Sequence, residues 1–171
     1  MVEKASYKLV KKIDDIEIRS YPEMILATVE ENVDDNAFGI LFNYINGENE
    51  SQKKINMTAP VISSEKIPMT APVISKKNFM AFVMPLSYDK STVPRPKNKK
   101  VKIEVKKQRK LAVLRFSGRT NYDKTNKKFN QLLDIVKNNN LKIKGSPFLM
   151  RYNSPFTPGI FRRNEVAIEI I

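Results

Sequence analysis

The sequence predicts an α+β domain: a distorted antiparallel β-barrel of two related halves, each with one packed α-helix. Three observations carry this expectation. Two segments place apolar residues at the helical spacings 0, 3, 4 and 7, one in each half of the chain. Short apolar runs separated by turn residues read as strands on either side of both helices. The order of two strands, a helix and two more strands occurs twice, which marks an internal repeat. The chain has 171 residues, and residues 1–171 read as a single domain. A chain of this length buries roughly 70% of its unfolded surface without disulfide or metal support.

The first half begins with strands. Leu9 and Val10, then Ile16 and Ile18, then Met24 to Val29 are apolar groups, divided by Asp14-Asp15 and by Tyr21-Pro22. A helix follows, with Asp34 or Asp35 to cap its start and Gly47 to end it. Its stripe is Phe38, Leu41, Phe42 and Ile45. Residues 55–85 read as extended chain. There Ile55-Asn-Met-Thr-Ala-Pro-Val-Ile-Ser63 is nearly repeated as Ile67-Pro-Met-Thr-Ala-Pro-Val-Ile-Ser75. Proline inside both copies excludes helix and argues against a central strand. Phe79 to Met84 reads as a buried strand, and Pro85 to Lys100 as a polar connection.

The second half repeats this order. Val101 to Val105 and Leu111 to Phe116 form an expected hairpin. A helix from about Asp123 to Lys137 carries the stripe Phe129, Leu132, Leu133 and Val136. Phe148 to Tyr152 and Val166 to Ile170 close the domain, with a proline-rich loop between them.

Composition excludes much chemistry. There is no cysteine and no histidine, so disulfides, thiolate catalysis, imidazole bases and histidine ligation are all absent. No Gly-rich phosphate loop and no Gly-x-Ser-x-Gly occurs. Asp14-Asp15 and Asp34-Asp35 suit a turn and a helix start better than an acid–base couple. No enzyme is expected. The net charge of +13 reads as solvated lysine or as attraction to an anionic partner. Its denser stretch, Arg95 to Lys110, alternates Val101, Ile103 and Val105 with Lys102, Glu104 and Lys106, as a half-exposed strand does. No specific nucleic-acid partner is expected. The charged opening segment and the lack of any run of ~18 apolar residues lead us to expect a cytoplasmic, monomeric protein without a membrane partner.

The two helices differ on their second face. On the first, Ala37, Ile40 and Tyr44 add another apolar patch beside Leu41; the second helix has Lys128, Gln131 and Ile135 there. Surplus apolar surface is either buried by a loop or used to line a pocket. Met57 and Met69, flexible and polarizable, would make an adaptable wall. The loop from Arg151 to Glu165 mixes Tyr152, Phe156, Ile160 and Phe161 with Arg162 and Arg163. That mixture suits a flat amphiphile bearing carboxylates, and equally a barrel cap with solvated arginines.

Several strings resemble the SOUL haem-binding proteins: Glu17-Ile-Arg-Ser-Tyr21, Tyr44-Ile-Asn-Gly-Glu-Asn-Glu50, Lys54-Ile-Asn-Met-Thr-Ala-Pro-Val61, Leu114-Arg-Phe-Ser-Gly118, Arg151-Tyr-Asn-Ser-Pro155 and Arg163-Asn-Glu-Val166. The resemblance covers almost the whole chain in order. It implies a two-half barrel related to gyrase-inhibitor-like domains, and a carrier of haem or related tetrapyrroles in a hydrophobic groove beside the first helix. Some members have a proposed ligand histidine where this chain has Ser20. Haem would therefore be held without histidine, with Met57, Met69 or Tyr44 near the iron. Lys53, Lys54, Arg162 and Arg163 are the candidates for the propionates. A porphyrin burying a few hundred Å² gains several kcal/mol at ~25 cal/mol per Å² before association costs. The alternatives are a general sensor or scavenger of flat small molecules, in the manner of the gyrase-inhibitor-like relatives, and a protein-interaction module.

Overall fold

A computed structural model describes residues 2–30, 36–64 and 78–171. The strands are β1 (Glu3–Lys4), β2 (Lys8–Ile13), β3 (Ile16–Tyr21), β4 (Met24–Glu30), β5 (Thr58–Ser63), β6 (Phe79–Val83), β7 (Val101–Lys106), β8 (Arg109–Ser117), β9 (Ile143–Arg151) and β10 (Arg163–Ile170). The helices are α1 (Ala37–Ile45) and α2 (Tyr122–Asn138). The fold is α+β, as the sequence predicts. All the strands form one sheet in the order β2-β3-β8-β10-β9-β5-β6-β4-β7, with β1 added in parallel to β5. The sheet is strongly curled but does not close. Its end strands, β2 and β7, do not pair, so the expected barrel is corrected to an open curl.

The order of strands is symmetric about the β5–β9 pair. Within the first half β4, β6 and β5 are neighbours; within the second, β8, β10 and β9 are. One strand of each half has crossed to the other: β3 pairs with β8, and β7 pairs with β4. The expected hairpin between β7 and β8 is therefore not formed. Their link, Lys107-Gln108, has none of the Gly or Asn-Gly chemistry that tight two-residue hairpins favour. By contrast β2 and β3 do form a hairpin, with Asp14 at φ 50° in its turn. β5 corrects a second expectation. Despite Pro60, it lies between β9 and β6 and pairs with both. The register shifts between Thr58 and Val61, and this bulge absorbs the missing N–H. The second Met-Thr-Ala-Pro copy, with Met69, and the cap candidates Asp34 and Asp35 lie outside the described residues.

Alternation along the strands sorts the core into three. Ala112, Leu114 and Phe116 of β8 meet Phe129, Leu132 and Val136 of α2, while Leu111 and Val113 face the inside of the curl. On the other half Ile25, Ala27 and Val29 of β4 pack under α1. α2 starts where Asn121 accepts a hydrogen bond from the Lys124 N–H at 2.8 Å. Its predicted stripe is the buried one. α1 is turned the other way. Ile40, Leu41, Tyr44 and Ile45 are buried, whereas Phe38 and Phe42 of the predicted stripe are 38% and 45% exposed.

Candidate functional site

The turn of α1 corrects the sequence reading of the groove. Ile40 and Tyr44 were expected on surplus surface; instead they seal the core beneath the helix, with Leu41 fully buried among them and Ala37 half-buried at the margin. The Tyr44 hydroxyl donates to the Pro94 carbonyl at 2.7 Å. Burial first, and the neighbouring Tyr88 second, push its pKa up to about 12. A phenol held in this way stays protonated and is committed to a backbone partner, so Tyr44 does not suit an iron ligand.

The apolar surface left over on α1 belongs to Phe38 and Phe42. Their rings stack with centroids 5.9 Å apart at 16°. Phe38 also meets buried Phe82 of β6 edge-on, at 5.3 Å and 64°. That contact puts this side of the helix toward β6 and its neighbour β5. Met57, Val61 and Met80 there are half-buried against the same core. The stacked rings and these side chains border the same core, and together they form an apolar, polarizable shelf. Lys53 and Lys54 are exposed and follow the C-terminal end of α1. Asn49, fully buried, fixes their approach: its amide nitrogen donates to the carbonyls of Tyr44 (3.1 Å) and Lys53 (2.8 Å), and its oxygen accepts from the Lys53 N–H at 3.1 Å.

The loop candidates behave differently. Phe156 and Phe161 are 95% and 71% exposed. Arg162 donates to carbonyls of its own loop, at Thr157 (2.8 Å) and at Pro155. Arg163 is directed inward and donates to Glu165 at 3.0 and 2.6 Å. Its charge is spent on that carboxylate, so it does not suit a propionate. The loop rests on the end of β8 and on Arg119, whereas α1 packs on β4, β6 and β7.

Inside the curl lies a cluster that sequence reasoning missed. Arg19 and Glu165 are 2% and 0% exposed and stand 146 residues apart in sequence. They form a bidentate pair at 2.8 and 2.9 Å. Arg19 also donates to Glu17 at 2.8 Å and to the Tyr21 hydroxyl at 3.1 Å, and its guanidinium lies 4.2 Å from the Tyr7 ring centroid. The Tyr152 hydroxyl donates to Glu165 at 2.8 Å. Burial alone would raise the Glu165 pKa. The hydrogen bonds and charges of Arg19 and Arg163 outweigh it and hold the carboxylate below its usual range. Burial and the Glu165 charge keep the Tyr152 phenol protonated well beyond its ordinary range. The Glu17-x-Arg19-x-Tyr21 and Arg163-Asn-Glu165 strings were the signal, but only strand register brings them together.

Among the described residues, no three side chains of the metal-ligating types gather to hold a metal ion, and no helix is long and apolar enough to cross a membrane. A cleft of about 100 Å³ between β4, β6 and the first residues of the chain includes Glu3, Met24, Thr58 and Tyr88 in its lining. Drug-sized ligands occupy roughly 300–1,000 Å³, so a tetrapyrrole does not fit there. The shelf on α1 is an open surface of the right chemistry for a flat apolar face with anionic arms. It offers no imidazole, and the half-buried thioethers of Met57 and Met80 are its soft donors among the described residues.

The sequence matches the family described as "SOUL heme-binding protein" over residues 2–169. A search of curated protein sequences gives no match. Among solved structures, the chain is similar to the C-terminal domain of EcmrR, at 13% identity and TM-score 0.61, covering 96% of this chain and 98% of that one. It is similar to a protein described as a hydrolase from Listeria innocua, at 9% identity and TM-score 0.57, covering 95% and 94%. It is also similar to SAV2435 bound to tetraphenylphosphonium, at 9% identity and TM-score 0.50, covering 97% and 94%. These likenesses show a shared fold.

Proposed function

The chain belongs to the SOUL heme-binding protein family, and from that premise we propose that it is a non-catalytic binder of haem or a related tetrapyrrole. The macrocycle lies on the α1 shelf of Phe38, Phe42, Met57 and Val61. Lys53 and Lys54 meet its propionates at the end of the helix. The observation that carries this reading is the stacked, exposed Phe38–Phe42 pair, because a soluble fold has no structural need for two adjacent aromatic rings in water. Bound haem supplies the redox-active iron. The chain supplies apolar contact and charge, and without histidine its affinity comes mainly from the flat face. Such a site discriminates weakly between haem and metal-free porphyrin.

The fold likeness to a protein bound to tetraphenylphosphonium raises a second reading, a sensor of organic cations. Here the buried carboxylate that would serve it, Glu165, accepts from Arg19, Arg163 and Tyr152. A cation would have to displace a guanidinium, which favours the tetrapyrrole reading.

Haemin titration tests the proposal. Wild-type protein is expected to give a saturable Soret change near one equivalent. Phe38→Ser with Phe42→Ser should weaken it about tenfold or more, which corresponds to at least ~1.4 kcal/mol. Lys53→Glu with Lys54→Glu should weaken it less, and more so at low salt. A double-serine variant that is folded yet titrates like wild type rules out the shelf. Stabilisation by tetraphenylphosphonium but not by haemin or porphyrin, read by thermal shift, would favour the second reading.

A further inference from the structure

We propose that the loop between β9 and β10 docks the protein on anionic lipid bilayers, with Phe156, Ile160 and Phe161 entering the interface and Arg119 beside them facing the headgroups. The three side chains are 95%, 76% and 71% exposed. They share one short loop, so together they form a projecting apolar tip rather than scattered surface residues. The tip is built. The N–H groups of Phe156, Thr157, Phe161, Arg162 and Arg163 are all bonded within the loop, to Ser154 Oγ, the Ser154, Pro158 and Gly159 carbonyls, and Asn153 Oδ1 respectively. Pro155 and Pro158 have no N–H. The Arg162 guanidinium ties the loop together from below through the Thr157 and Pro155 carbonyls. These five bonded donors lower the penalty for leaving water.

Charge selects the occupant. The chain has no acidic residue between Asp134 and Glu165, and none between Glu104 and Asp123. Those two stretches supply the loop and the end of β8 on which it rests. Glu165 itself is buried and neutralised by two arginines. Arg119 is exposed and packs so closely over Gly159 that a Cβ there would meet its Cγ at 3.0 Å. An apolar tip with exposed Arg119 packed against it, in stretches free of acidic residues, matches a surface that is apolar inside and anionic outside. Three side chains of at most about 250 Å² each also fall short of the ~800 Å² per partner of a stable protein interface. This inference does not rest on the tetrapyrrole reading.

The test is co-sedimentation with vesicles of phosphatidylcholine alone and of phosphatidylcholine with about a quarter phosphatidylserine. Wild-type protein is expected to bind the anionic vesicles at physiological salt and leave the neutral ones. Phe156→Ser with Phe161→Ser should reduce binding about tenfold or more while haemin titration is unchanged. Lys97→Glu with Lys99→Glu, which lowers net charge outside this loop, should reduce it far less. The chain has no tryptophan, so Phe156→Trp gives a sole indole whose emission should shift to the blue on binding. No binding by wild type overturns the proposal. So does equal binding by the double-serine variant, which is nonspecific charge attraction. A wild-type dimer dispersed by the serine changes, without vesicle binding, makes the tip a protein contact and overturns it too.

Discussion

At the scale of single residues, the decisive pair is Arg19 and Glu165. Neither faces solvent, and each is held by further polar partners, so removing one strands the other as a buried charge. Glu165→Ala should lower the unfolding free energy by about 3–5 kcal/mol, measured by urea unfolding at neutral pH. The same carboxylate gives a pH dependence of known sign. Its folded pKa lies below the unfolded value of about 4.3, so its stabilisation is complete above that value and is lost as pH falls through the folded one. Between neutral pH and pH ~3, Glu165→Gln should show a flatter decline in urea midpoint than wild type. The strings around these residues could be read in the sequence. Their meeting could not, because a charge pair closed through β3, β8 and β10 has no local signature.

At the scale of elements, the sequence was readable where a segment offered one answer. α2 has one apolar stripe, and that stripe is buried. α1 has two, and counting spacings does not choose between them; the shape of the sheet below it does. Leu41 serves both faces, which is why it is fully buried whichever way the helix turns. Leu41→Ala should cost about 2–5 kcal/mol, whereas Phe42→Ser should change stability by less than about 1 kcal/mol, both read from denaturant midpoints. A cost for Phe42→Ser as large as that for Leu41→Ala would restore the orientation expected from the stripe. Pro60 shows a similar limit. Proline disfavours a central strand only where the ladder is regular, and a bulge is invisible in composition.

At the scale of the whole molecule, the repeat of strands and helices was legible, but the exchange of β3 and β7 between the halves was not. Sequential strands usually neighbour each other, and β3–β4 and β7–β8 break that habit in both halves. The exchange has an energetic result. Residues 1–100 alone would lack β7 beside β4, and residues 101–171 would lack β3 beside β8. Each piece should therefore fail to fold separately, by circular dichroism and amide exchange. The intact chain should lose α1-side and α2-side structure in one coincident transition. Two separated transitions would show that the halves are independent.

The unclosed curl has a final implication for how copies of this protein meet. Among the described residues, its terminal strands, β2 and β7, each pair along one edge only, and an open edge is the usual template for end-to-end polymerisation. Lys8, Lys11 and Lys12 line one terminus, so two β2 ends brought together present like charge, whereas Lys102 and Lys106 at the other lie 4.0 and 2.9 Å from Glu30 and Glu104. Part of the large positive balance thus acts as an insulator against fibre growth, one that concentrated salt would strip away within a few ångströms of screening.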